Sequence, residues 1–158
     1  MERQPGSRLI RSHGNFASDF HETYAESINL TNPIPMHIHN IADVPAFTTK
    51  DGSEIRELLA HRNSCIALQS LAEARLPAGG QTTPHYHPRT EEIYYILEGT
   101  GQMTIGEETR AVGPGDAIAI PPGAMHTIAN HGPSTLKFLC CCAPGYEHAD
   151  TVLLESPS

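Results

Sequence analysis

From residue 65 to residue 142, apolar and polar positions alternate in short runs, interrupted by glycine and proline. The interruptions fall at intervals of roughly 8–12 residues, and a two-residue period marks strands with one buried face. The pattern predicts strands over 65–76, 83–87, 92–97, 101–105, 109–112, 117–120, 126–129 and 135–142. Turns are predicted at Pro77-Ala78-Gly79-Gly80, Gly106-Glu107, Gly113-Pro114-Gly115, Pro121-Pro122-Gly123 and Gly132-Pro133. No helical period alternates with the strands, which argues against a parallel α/β sheet. An all-β fold closed into a small barrel or jelly roll is expected, because closure removes exposed sheet edges.

Residues 1–45 read as an N-terminal arm with little core of its own, and 46–158 as a single barrel domain. Ser18 is placed to cap a short helix carrying Phe20, Tyr24 and Ile28. The prolines of Pro33-Ile34-Pro35 extend the chain before His37-Ile38-His39. Asp51-Gly52 marks a turn, and Ser53 is expected to cap one helical turn holding Ile55, Leu58 and Leu59.

The chain of 158 residues is long enough for one domain with a real core. Its net charge of −8 argues against a nucleic-acid partner, which would require clustered Lys and Arg. An anionic small substrate is compatible with that charge, since a bound metal supplies local positive charge. No apolar run suits a secretory signal or a membrane span. The cysteines are Cys65 and the run Cys140, Cys141, Cys142. Neighbours on a strand point to opposite faces and make a poor disulfide framework, so buried, inert thiols in a reducing cytoplasm are expected.

The chemistry concentrates in His85-Tyr86-His87, Glu92 and His126. On a strand, side chains two apart share a face at a spacing of ~6.6 Å. A ligand nitrogen sits ~2.1 Å from a metal, so both imidazoles can converge on one ion. On a helix the same spacing would splay them. Pro88-Arg89-Thr90 can turn the chain before Glu91-Glu92, and the turn resets the register, so strand parity does not choose between the two carboxylates. If Glu92 faces inward, Tyr94 and Ile96 share its face, and Tyr94 becomes a candidate general acid or base. His37-Ile38-His39 repeats the spacing without a nearby carboxylate or third histidine and is expected on a surface or dimer contact. Tyr146, His148 and Asp150 alternate in a polar tail that could close over the barrel mouth or lie in solvent. Arg56, Arg75, Arg89 and Lys137 are isolated cations, expected on the surface.

Two spaced motifs resemble those of the cupin superfamily. Its first motif, G-x5-H-x-H-x3,4-E-x6-G, is matched by Gly79, His85, His87, Glu92 and Gly99. Its second, G-x5-P-x-G-x2-H-x3-N, is matched by Gly115, Pro121, Gly123, His126 and Asn130. Spacing to Gly99 favours Glu92 over Glu91. The resemblance, to small single-domain cupins, implies a double-stranded β-helix holding one divalent transition metal per chain through His85, His87, Glu92 and His126. It also implies a homodimer, with N-terminal strands exchanged in many relatives. Imidazole and carboxylate suit Fe, Mn, Ni, Co or Zn. The expected activity is isomerase- or lyase-type proton transfer on a small oxygenated metabolite, such as a carboxylate, sugar or sugar phosphate. A dioxygenase using Fe or Cu is the alternative enzyme, and a metal- or ligand-binding barrel without turnover is the alternative of a different class.

Overall fold

A computed structural model describes residues 35–154. A compact unit begins at His37. The helix expected after Ser18 lies outside the described residues, as does most of the arm. Residues 37–46 form no regular element apart from a short 3-10 turn at Ile41–Asp43, which the Asn40 side chain caps.

The strands, in chain order, are β1 (Phe47–Thr48), β2 (Glu54–Leu59), β3 (Ser70–Leu76), β4 (His85–Tyr86), β5 (Glu91–Glu98), β6 (Gly101–Ile105), β7 (Glu108–Val112), β8 (Ala117–Ile120), β9 (His126–Ala129), β10 (Leu136–Ala143) and β11 (Val152–Leu153). They form two antiparallel sheets. One has the order β1-β2-β3-β10-β5-β8, the other β11-β4-β9-β6-β7. The expected all-β architecture forms, with strand limits close to those predicted from residue 83 onward.

Upstream the outcome differs. The turn expected to be helical after Ser53 is strand β2, hydrogen-bonded to β1 on one side and β3 on the other. Sheet pairing on both edges outweighs a local helix signal only one turn long, which has too few bonds to repay its nucleation. The strand expected from Cys65 begins only at Ser70.

Strand parity sorts the interior. On β5, Glu92, Tyr94 and Ile96 are buried while Glu91, Ile93 and Tyr95 are exposed. Facing them on β10 are Cys142, Cys140 and Phe138, in direct register with Glu92, Tyr94 and Ile96. Both sheets supply the core, with Leu76, Ile96, Leu136 and Phe138 from one and Met103 and Ile128 from the other. The interior is thus graded along its axis. One end is sealed by aliphatic packing, and the other carries the histidines, carboxylates and thiols.

Two motif residues hold the sealed end. Gly99 has φ +79°, and a Cβ there would lie 2.8 Å from the Thr135 carbonyl oxygen, so the tight turn from β5 to β6 excludes larger residues. Asn130 is fully buried, and its amide donates to the carbonyls of Leu76 (3.0 Å), Pro77 (3.0 Å) and Ser134 (2.8 Å) while accepting from Gly132 N–H (2.9 Å). One side chain thereby satisfies backbone groups of two loops that no strand can pair.

Candidate metal centre

His85 on β4 and His126 on β9 are direct cross-strand partners, with ring centroids 4.2 Å apart. His87 follows β4 and turns to the same interior, its ring centroid 5.2 Å from that of His85. The ligand atoms of the three imidazoles all lie within 4.8 Å of one another, and all three residues are buried. The second motif is attached to the first by its own turn. Gly123 N–H donates to the His87 carbonyl (2.8 Å), and Ala124 N–H closes the turn on the Pro121 carbonyl (3.1 Å). This turn delivers His126 beside the β4 histidines.

Each ring is oriented through Nδ1. His85 Nδ1 donates to the Thr83 carbonyl (2.7 Å), His126 Nδ1 to the Ala124 carbonyl (2.9 Å) and His87 Nδ1 to the Asp150 carbonyl (3.3 Å). A carbonyl accepts only, so Nδ1 carries the proton and each neutral ring presents a bare Nε2. Glu92 approaches two of the three rings from β5. Its Oε2 sits 3.4 Å from His87 Nε2 and 3.5 Å from His126 Nε2. Its Oε1 accepts from the Cys142 thiol at 3.3 Å. Glu91, the other carboxylate offered by the sequence, is exposed.

The carboxylate and the imidazoles also perturb one another. Burial opposes ionisation of Glu92, but the facing His126 and His87 outweigh it and hold the carboxyl down at about 2. Burial, then the neighbouring His126, depress His85. Burial also depresses His87, but the Glu92 carboxylate outweighs it and raises that imidazole. Burial and then the charge of Glu92 push the Tyr94 phenol well above its ordinary value. Glu92 Oε2 and His126 Nε2 are both fully buried without a hydrogen-bond partner. Two buried acceptors left facing each other are costly unless a cation lies between them. The residues therefore fit a first-row divalent metal, with donors of the right chemical kind from His85, His87, Glu92 and His126.

The centre opens into a narrow cavity of about 40 Å³. Tyr94 lines it, its ring centroid 6.0 Å from that of His126 and 4.6 Å from that of Phe138. Tyr146 lines it from the tail, edge-on to His87 at 6.1 Å. The tail therefore folds over the centre, and its three alternating residues do different work. Asp150 is buried and binds Arg89 and Thr90, while His148 stays on the exterior. His37 and His39 are exposed and, among the described residues, belong to no cluster with a third histidine or carboxylate. Arg56, Arg75, Arg89 and Lys137 are each paired with a carboxylate, namely Glu54, Glu73, Asp150 and Glu98.

Several lining residues escaped the sequence reading. Cys140 and Cys142 share the inward parity of β10, so the strand pattern held that signal. Thr49, Asp51 and Ser53 arrive with the β1–β2 hairpin, which local sequence did not reveal as part of the cavity wall. Cys65 is exposed and Cys141 half-buried, so only Cys140 and Cys142 fit the expectation of buried thiols.

A cupin-domain family profile matches residues 72–142, the stretch that contains all four candidate ligands. The chain belongs to the cupin superfamily. This cupin is 52% identical over 113 residues to an uncharacterized protein of Methanocaldococcus jannaschii, covering 71% of this chain and 90% of that one. Germin-like protein 1-1 of Oryza sativa is 36% identical over 74 residues, 42% of this chain, and the match spans only 34% of the rice protein. Among solved structures, the polyketide cyclase RemF of Streptomyces resistomycificus superposes with a TM-score of 0.65 at 26% identity, covering 78% of this chain and 88% of RemF. The two facing sheets are those of a double-stranded β-helix.

Proposed function

We propose that this cupin is a metal-dependent enzyme acting on a small oxygenated metabolite by isomerase- or lyase-type proton transfer. His85, His87, Glu92 and His126 hold the metal, and Tyr94 handles a proton in the cavity. The observation that carries the reading is the pair of unpartnered buried acceptors, Glu92 Oε2 and His126 Nε2, 3.5 Å apart, beside a cavity that Glu92 lines. A purely structural histidine cluster would satisfy those atoms within the protein.

When bound, a divalent ion supplies Lewis acidity toward a chelating substrate oxygen. The protein residues do the rest. Backbone carbonyls of Thr83, Ala124 and Asp150 fix three imidazoles in one tautomer. Cys142 occupies Glu92 Oε1 and leaves Oε2 directed at the histidines. The buried Ile55 and Phe138 line the cavity and limit water beside the reacting groups. Tyr94 Oη holds or passes a proton to substrate carbon or oxygen. RemF, an enzyme with this barrel at 26% identity, supports a catalytic rather than a storage role.

Turnover of hydroxy-ketones, aldoses and hydroxy acids by metal-replete protein, compared under air and under argon, tests this reading. Equal rates in both atmospheres are expected. Oxygen uptake in step with turnover would replace it with a dioxygenase, and no turnover of any substrate by metal-loaded protein would favour a binding barrel.

We also propose a homodimer in the cytoplasm. Ile93, Tyr95 and Leu97 form an exposed apolar row on the outer face of β5, 49%, 42% and 36% accessible, which a second copy would cover. The four described cysteines are unpaired, as suits a reducing compartment. No helix among the described residues is long and apolar enough to cross a membrane.

A further inference from the structure

The β1–β2 hairpin carries a carboxylate into the same cavity. Asp51 is 7% exposed and lines the space with His85, His87, Tyr94 and Tyr146. Its Oδ1 is saturated locally by the Thr49 hydroxyl, the Ser53 hydroxyl (2.9 Å) and the Ser53 N–H (3.2 Å). Its Oδ2 has no hydrogen-bond partner among the described residues. The hairpin is tied in place at both ends of the cavity mouth. Thr83 N–H donates to the Asp51 carbonyl (2.7 Å), and the Lys50 ammonium donates to the carbonyls of His148 (2.7 Å) and Thr151 (3.2 Å).

Among the described residues, neither Lys nor Arg lines the cavity. Glu57, at its edge, is neutralised by Arg62, which also binds Glu147 and the Tyr146 carbonyl. Two uncompensated carboxylates remain, Asp51 and Glu92. One divalent ion balances these two charges and leaves a site that is neutral overall, where Glu92 alone would have left it positive. A phosphate dianion would meet Asp51 in a low-dielectric space with no protein cation to receive it. A hydroxyl, by contrast, is the donor that a spare carboxylate oxygen accepts.

We propose that Asp51 is a substrate-binding carboxylate. It accepts a substrate hydroxyl at Oδ2 and selects uncharged, hydroxyl-bearing molecules over their phosphate esters. The inference rests on the cavity being the substrate site, as the proposed function holds. It narrows the substrate class to neutral polyols and hydroxy-carbonyl compounds.

The test is calorimetric binding of paired probes, dihydroxyacetone against dihydroxyacetone phosphate and erythrose against erythrose 4-phosphate, with and without zinc. The wild-type protein is expected to bind each neutral probe at least 10-fold more tightly than its ester. Asp51→Asn keeps the Oδ1 acceptor and removes the charge. It should weaken the neutral probes at least 10-fold and erase the preference, with the protein still folded and its zinc content unchanged. Equal or tighter binding of the esters by wild type, no binding of the neutral probes, or unchanged affinities in a folded Asp51→Asn would overturn the proposal. The wild-type comparison stands even where the variant does not fold. Failure to retain zinc would count against the metal centre alone, because the preference is also read on metal-free protein.

Discussion

Asp150 offers a quantitative test of how the tail supports the centre. Its carboxylate is 4% exposed and accepts from Thr90 N–H (3.0 Å), Arg89 N–H (3.3 Å) and Arg89 Nε (3.0 Å). Its own carbonyl receives His87 Nδ1. In Asp150→Ala, the buried Thr90 N–H loses its partner at a cost of about 1–3 kcal/mol. The Arg89 side chain is 73% exposed, so its ion pair adds at most about 1 kcal/mol. The sum is roughly 1–4 kcal/mol, which at about 2–4 °C per kcal/mol for a chain of this size lowers Tm by roughly 2–16 °C. The carbonyl that His87 binds is kept in the variant; displaced with the loosened tail, it should orient the imidazole less well and weaken metal binding ~10-fold. Asp150→Asn keeps one acceptor oxygen and should recover about half of the lost stability.

The pH dependence has a definite sign. Burial alone would raise the Asp150 carboxyl, but the donors of Arg89 and Thr90 outweigh it and hold it below its ordinary 3.8. A group depressed in the folded state stabilises the protein fully above its unfolded pKa and loses that contribution as pH falls through the folded one. Thermal melts of wild type and Asp150→Ala should therefore differ by a constant amount from pH 8 to about pH 5 and converge below about pH 4. An Asp150→Ala protein melting within about 1 °C of wild type at pH 7, or a gap that persists unchanged to pH 3, would refute the reasoning.

Gly99→Ala should destabilise by roughly 2–4 kcal/mol, because it combines a positive φ with a Cβ contact at 2.8 Å, whereas Gly106→Ala, with positive φ and open space around it, should cost only about 1 kcal/mol; chemical denaturation separates the two. Tyr94→Phe should lower turnover ~10²–10⁴-fold with metal content intact, and a rate within twofold of wild type would reduce Tyr94 to packing against Phe138. Tyr95→Glu, on the outer face of β5, should shift the protein from dimer to monomer in light scattering without changing its metal content; a persistent dimer would place the interface elsewhere.

Much of this barrel was legible because its strands are half-buried. Alternation on β5 separates Glu92, Tyr94 and Ile96 from Glu91, Ile93 and Tyr95, and the structure preserves that separation. Turn residues between the strands marked the boundaries from residue 83 onward. The candidate metal residues were legible for a different reason: two fixed spacings bring His85, His87 and His126 together, with Glu92 beside the last two, only if the strands return across a barrel. What escaped depends on contacts distant in sequence. Residues 54–59 form a strand because β1 and β3 pair with them, which no local preference encodes. Asp51 was readable as a turn residue but not as a cavity residue, because its inward position comes from Thr83 and from the tail carbonyls that hold Lys50. The role of Asp150 was hidden in the same way, since its partners lie some sixty residues upstream.

Elemental analysis of protein purified without chelator tests the central claim most directly, with wild type measured beside His87→Ala and His126→Ala. About one first-row transition ion per wild-type chain, with most of it absent from either folded variant, is the predicted result. A folded wild-type protein without such an ion after incubation with Fe, Mn, Ni, Co or Zn, or full metal retention by both variants, would contradict it.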